Sequence, residues 1–135
     1  MLKAHKMRKD IILCVDDEPI VVRACTQAIT GGGFRCLVAE NGAAGLDSFI
    51  EFKDEICLVL ADIIMPTVNG LDMVESILQI DPTVKVLMMS GFSDQVLERQ
   101  GRNEFPFIRK PFIYRVLIEK IHALVGAADA AASGT

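Results

Sequence analysis

The sequence predicts a single α/β domain with a five-stranded parallel sheet, doubly wound, and helices on both faces. Short apolar runs of strand length alternate with segments whose apolar residues recur at helical spacing. The run Ile56 to Ala61 is apolar without alternation, as a strand covered on both faces must be. A chain of 135 residues, 51% hydrophobic and 24% charged, suits one core of ordinary size. Strands joined through helices pair in parallel by right-handed crossovers, so their carboxyl ends share one edge of the sheet.

Each element has its own local reason. Residues 1–9 carry Lys3, Lys6, His5, Arg8 and Lys9 and are expected to form a basic, poorly ordered leader ahead of a domain over 10–126. Ile11–Val15 is the first strand and ends in Asp16, Asp17 and Glu18. Pro19 follows at a natural first helical position, and Ile20, Val21, Ala24 and Ala28 recur at helical spacing until Gly31, Gly32 and Gly33. Residues 34–39 make the second strand, and Asn41-Gly42 turns the chain into a helix with Ala43, Leu46, Phe49 and Ile50 inward. The third strand delivers Asp62 to its end and is closed by Met65-Pro66 and Asn69-Gly70.

Leu71, Val74, Ile77 and Leu78 repeat with helical period until Asp81-Pro82. Residues 85–89 form the fourth strand, ending at Ser90-Gly91. Residues 93–101 offer only Val96 and Leu97 as sizeable apolar anchors, which predicts a short, loosely held fourth helix. Residues 105–108 make a brief fifth strand leading to Lys110-Pro111. Residues 112–125 are amphipathic, with Ile113, Leu117, Ile121 and Leu124 on one face. The Ala-, Gly- and Ser-rich residues 127–135 read as a tail or linker.

Composition narrows the function. A net charge of -4 provides no basic field for nucleic acid. Cys14, Cys25, Cys36 and Cys57 lie apart without the close spacing of zinc or redox motifs, so reduced, buried thiols are expected. No apolar run approaches the roughly 18 residues of a membrane span, and a cytoplasmic location is expected. His5 and His122 have no partner at metal-ligand or triad spacing.

The chemistry collects at the strand ends. Asp16 and Asp17 follow strand one, Asp62 closes strand three, Ser90 closes strand four and Lys110 follows strand five. Singly, each has a plain reading: an acid cluster at a helix N-terminus, a turn cap, an ordinary turn, an exposed base. Their joint occurrence on one sheet edge is hard to reach by coincidence. Three crowded carboxylates resist joint ionisation unless a cation is near. Hard oxygen ligands around a small open site favour Mg²⁺, or Mn²⁺, which accepts phosphate oxygens. With that ion and protonated Lys110 the carboxylates approach electroneutrality, and an Asp carboxylate can then act as nucleophile toward phosphorus. Asp62 is placed to attack, Lys110 to hold phosphoryl oxygens and Ser90 to donate to one of them.

The motifs Val15-Asp16-Asp17-Glu18, Asp62-Ile63-Ile64-Met65-Pro66 with Gly70, Met89-Ser90-Gly91 and Lys110-Pro111-Phe112 resemble a response regulator receiver domain over residues 10–125. The resemblance implies a flavodoxin-like strand order 2-1-3-4-5. It implies Asp62 as phosphoacceptor, Asp16, Asp17 and the Ile64 backbone carbonyl as Mg²⁺ ligands, and Lys110 on a cis bond to Pro111. Ser90 and Phe107 become the switch pair, and a face of the fourth helix, fifth strand and fifth helix is reshaped for a downstream protein. Phe107 has no phenolic hydroxyl, so that switch lacks a hydrogen bond there. Ile64 and Phe92 occupy positions that tune water access in the family, and their apolar bulk predicts slow self-dephosphorylation.

The resemblance makes the chain a bacterial two-component signalling switch rather than an enzyme, fed by a histidine kinase or histidine phosphotransfer protein, with a homodimer left open. The run from Met89 to Asp94 resembles receivers of hybrid histidine kinases. Two other classes compete: a pseudo-receiver that binds partners without phosphorylation, and a haloacid-dehalogenase-type aspartyl-phosphate hydrolase. The latter wants Asp-x-Asp where this chain has adjacent Asp16-Asp17.

Overall fold

The computed structural model describes residues 9–65, 68–91 and 105–133, with side chains described as far as Gly126. The leader before Lys9, Pro66, Phe92 and the expected fourth helix over 93–101 lie outside the described residues. In chain order the elements are β1 Ile11–Val15, α1 Pro19–Gly31, β2 Arg35–Ala39, α2 Gly42–Phe52 and β3 Ile56–Asp62. They continue with α3 Gly70–Ile80, β4 Lys85–Ser90, β5 Phe107–Arg109 and the C-terminal helix α4 Tyr114–Ser133.

All strand pairs are parallel, in the order β2-β1-β3-β4-β5, the predicted topology. Strand order reverses beside β1, so the open crevice falls between the carboxyl ends of β1 and β3. Register makes it sharp: Val15 is level with Ala61, and Asp62 is level with Met89. Asp16 and Asp62 therefore leave neighbouring strands at the same height.

Apart from Cys57 and Lys85, which are half-buried, the central strands are buried, as their unbroken apolar runs require. Two apolar clusters cover the two faces. Leu13, Val15, Val59, Ala61 and Met88 pack with Phe49 of α2 and Leu71, Val74 and Ile77 of α3. Ile12, Cys14, Leu58, Leu60 and Met89 pack with Cys25 and Ile29 of α1 and Leu117 and Ile121 of α4. The cysteines are free thiols, Cys14 and Cys25 buried and Cys36 and Cys57 half-buried.

Four inward assignments are corrected. Ile20 is 83% exposed, because the buried stripe of α1 is Cys25, Ala28 and Ile29. On α2, Ala43 and Ile50 face solvent, and the buried stripe is Gly42, Gly45 and Phe49. A Cβ on Gly42 would lie 2.8 Å from Val68, and one on Gly45 would lie 2.7 Å from the Met73 sulfur and 3.0 Å from Val15. The helix uses absent side chains to approach the sheet, which apolar periodicity does not register. Ile113 precedes α4 and is exposed. The fifth strand begins two residues later than expected, after Pro106, whose carbonyl accepts from the Met88 amide at 3.0 Å.

Candidate functional site

The site is built from three loops at the carboxyl edge. After β1, Asp16 is completely buried and its Oδ1 accepts from the Glu18 amide at 2.9 Å, which folds the chain back before Pro19 opens α1. Asp17 beside it is exposed. At the end of β3, Asp62 is buried and its Oδ1 accepts from the Ile64 amide at 3.2 Å. Gly70 closes this loop: its amide donates to the Ile63 carbonyl, and a Cβ here would lie 1.9 Å from the Asp62 carbonyl oxygen. After β5, the Lys110 amide donates to the Ser90 carbonyl at 2.8 Å and the Lys110-Pro111 bond is cis, as expected.

Lys110 is the hub. Its Nζ lies 2.9 Å from Asp16 Oδ2, 3.1 Å from Glu18 Oε1 and 3.2 Å from Asp62 Oδ2. The bonds to Glu18 and Asp62 are aligned hydrogen bonds. Asp16 Oδ2, the nearest of the three, is fully buried and makes no aligned hydrogen bond among the described residues. Burial pushes the Asp62 carboxyl above the ordinary range; the Lys110 charge opposes this and Asp16 reinforces it. Burial pulls the Lys110 ammonium down, but the neighbouring carboxylates of Asp16, Asp62 and Glu18 outweigh it and leave a net rise.

The donor set fits a hard divalent cation. Carboxylate oxygens of Asp16, Asp17 and Asp62 all lie within 4.8 Å of one another, and Asp16 Oδ2 is a buried acceptor lacking an aligned donor. Such an oxygen is a ready ligand.

The remaining sequence-derived residues fall around this cluster. Ser90 is buried at the end of β4, the strand paired with β3. Phe107 is half-buried on β5 opposite Met88, and strand alternation places Ser90 on the Met88 face, so Ser90 and Phe107 share one side of the sheet. Ile64 is half-exposed at the rim. Phe92 lies outside the described residues. Beside Lys110, a cavity of about 370 Å³ is lined by Glu18, Ile20, Val21, Ala24, Pro111 and Phe112. Glu18 as a partner of Lys110 was not read from the sequence. A signal was present: Glu18 occupies the N-cap of α1, where glutamate is a poor cap, and its side chain makes no capping bond.

The chain matches the family described as response regulator receiver domain over residues 12–122. It belongs to that family. Among similar proteins, the chemotaxis protein CheY of Thermotoga maritima is 32% identical over 114 residues, covering 82% of this chain and 93% of that protein. The DNA-binding transcriptional regulator NtrC of Escherichia coli is 30% identical over 108 residues, covering 78% of this chain and 23% of NtrC. The receiver thus spans most of one curated relative and under a quarter of another. A crystal structure of a CheX-CheY-BeF3-Mg complex from Borrelia burgdorferi matches with a TM-score of 0.74 and 25% identity, over 84% of this chain and 87% of that one. The receiver described here is a two-component response regulator domain with an acidic pocket able to hold a metal. No helix among the described residues is long and apolar enough to cross a membrane.

Proposed function

We propose that this receiver takes a phosphoryl group from a phosphohistidine onto Asp62 and so switches a protein-binding face. The observation that carries it is the buried Asp62 carboxylate held between the Ile64 amide and the Lys110 ammonium, next to Asp16 and Asp17. Transfer needs positioning and charge stabilisation more than covalent help from the protein. An Asp62 oxygen forms the new P–O bond as the P–N bond of the donor breaks, and the imidazole nitrogen keeps that electron pair. Lys110 supplies positive charge to the phosphoryl oxygens, and Ser90 donates its hydroxyl to one of them. Mg²⁺ or Mn²⁺, held by Asp16, Asp17, Asp62 and the Ile64 carbonyl, supplies further charge neutralisation when bound.

The donor in this reading is a histidine kinase or a histidine phosphotransfer protein, as family membership supports, and the location is cytoplasmic. Ser90 and Phe107, on one side of the sheet, form the switch that passes the change to β5 and the elements beside it. Ile64 at the rim, with Phe92, shields the acyl phosphate and slows its hydrolysis. The independently folding unit is residues 10–126.

The test is intact mass after incubation with Mg²⁺ and acetyl phosphate. Wild type gains one phosphoryl group, Asp62→Asn gains none, and the adduct decays faster in Ile64→Asn than in wild type. An unlabelled wild type overturns the proposal and leaves a pseudo-receiver that binds partners without phosphorylation.

A further inference from the structure

Lys110 has three N–H donors, and three carboxylates already surround it: Asp16, Glu18 and Asp62. Only Glu18 and Asp62 take aligned hydrogen bonds from it, and an incoming phosphoryl group must compete with the surrounding carboxylates for the one ammonium group. The three differ greatly in what yielding costs. The Asp16 and Asp62 side chains are 0% and 9% exposed, and a buried carboxylate deprived of its counter-ion is strongly penalised. The Glu18 side chain is 61% exposed and returns to water at little cost.

We infer that Glu18 is a displaceable counter-ion, a positioning residue that holds Lys110 in reserve and is released when a phosphoryl group arrives. A second observation supports this. Glu18 stands at the N-cap of α1, yet its side chain caps nothing and is spent on Lys110 instead. It also borders the cavity beside Lys110, so release frees space as well as an N–H donor. Glu18 acts before transfer, as a brake: its carboxylate competes with the donor's phosphoryl oxygens for one ammonium group.

The inference rests on Asp62 being phosphorylated, and the test separates the two. Second-order labelling rates with acetyl phosphate and Mg²⁺ are compared for wild type, Glu18→Gln, Glu18→Asp and Glu18→Gln in a Lys110→Gln background. Glu18→Asp keeps the charge but is one methylene too short to keep the bond. If contact with Lys110 is what matters, both single variants label faster, by about threefold, a factor within the range of an exposed ion pair. The gain then disappears when Lys110 is absent. Unchanged or slower labelling of Glu18→Gln overturns the inference. So does a gain in Glu18→Gln with none in Glu18→Asp, or a gain that persists without Lys110, either of which reduces Glu18 to a general field effect. A wild type that takes no phosphoryl group at all overturns the phosphoacceptor reading itself, and this inference with it.

Discussion

At the scale of single residues, Asp62 carries a conflict between stability and chemistry. Its carboxyl is pushed up mainly by burial, against the pull of Lys110, so the folded protein binds that proton more tightly than the unfolded chain does. A carboxyl raised on folding contributes stability below the unfolded value, near pH 4, and loses that contribution as pH rises through the folded value. At neutral pH the ionised group is therefore a net burden in the absence of a divalent ion. Asp62→Asn removes the burden without stranding Lys110, which keeps Asp16 and Glu18. Urea unfolding in EDTA should find Asp62→Asn more stable at pH 7 by about 1 kcal/mol, the low end for relief of a buried charge. The advantage should shrink toward pH 4. A difference that stays flat across this range would show that burial of the charge is not the source.

At the scale of elements, the strands were legible and the helix faces less so. A strand covered on both sides has one signature, a short unbroken apolar run, and β1, β3 and β4 each carry it. The helix α2 was misread by a rotation, with Ala43 and Ile50 inward, because its closest approach is made by Gly42 and Gly45. Ile20 in the first turn of α1 and Ile113 just before α4 are exposed, since apolar type at helical spacing continues past the turns that face the core. Helix starts were legible where a cap exists. Asn69 accepts from the Asp72 amide at 2.9 Å, and the turn it fixes sets Gly70 against the Asp62 carbonyl. Asn69→Ala should cost about 1 kcal/mol of stability. Asn69→Asp should recover it, since aspartate caps as well and suits the positive end of the helix. Thermal unfolding of the pair reads this directly; equal melting temperatures for Asn69→Ala and wild type would mean that the cap contributes nothing.

At the scale of the whole molecule, the site joins chain segments that topology alone brings together. Asp16 and Lys110 follow the first and fifth strands and Asp62 closes the third, and Lys110 meets Glu18 across 92 residues of chain. Residue type at strand ends made the first three legible. The Glu18 contact was not, because it depends on the direction in which one long side chain lies. A pocket assembled from the entire chain does not exist in the unfolded protein, so a cation bound there binds the native state alone and stabilises all of it. Linkage gives about 2.7 kcal/mol at a Mg²⁺ concentration one hundredfold above Kd. Urea midpoints should therefore rise steadily with Mg²⁺ and fall back with EDTA. Asp16→Asn should blunt the response, because Asp16 Oδ2 is the buried oxygen without an aligned donor. Asn69→Ala, less stable but with its carboxylates intact, should retain it. A midpoint identical in EDTA and in excess Mg²⁺ would mean that Lys110 alone satisfies the carboxylates and that the acidic pocket does not take the ion.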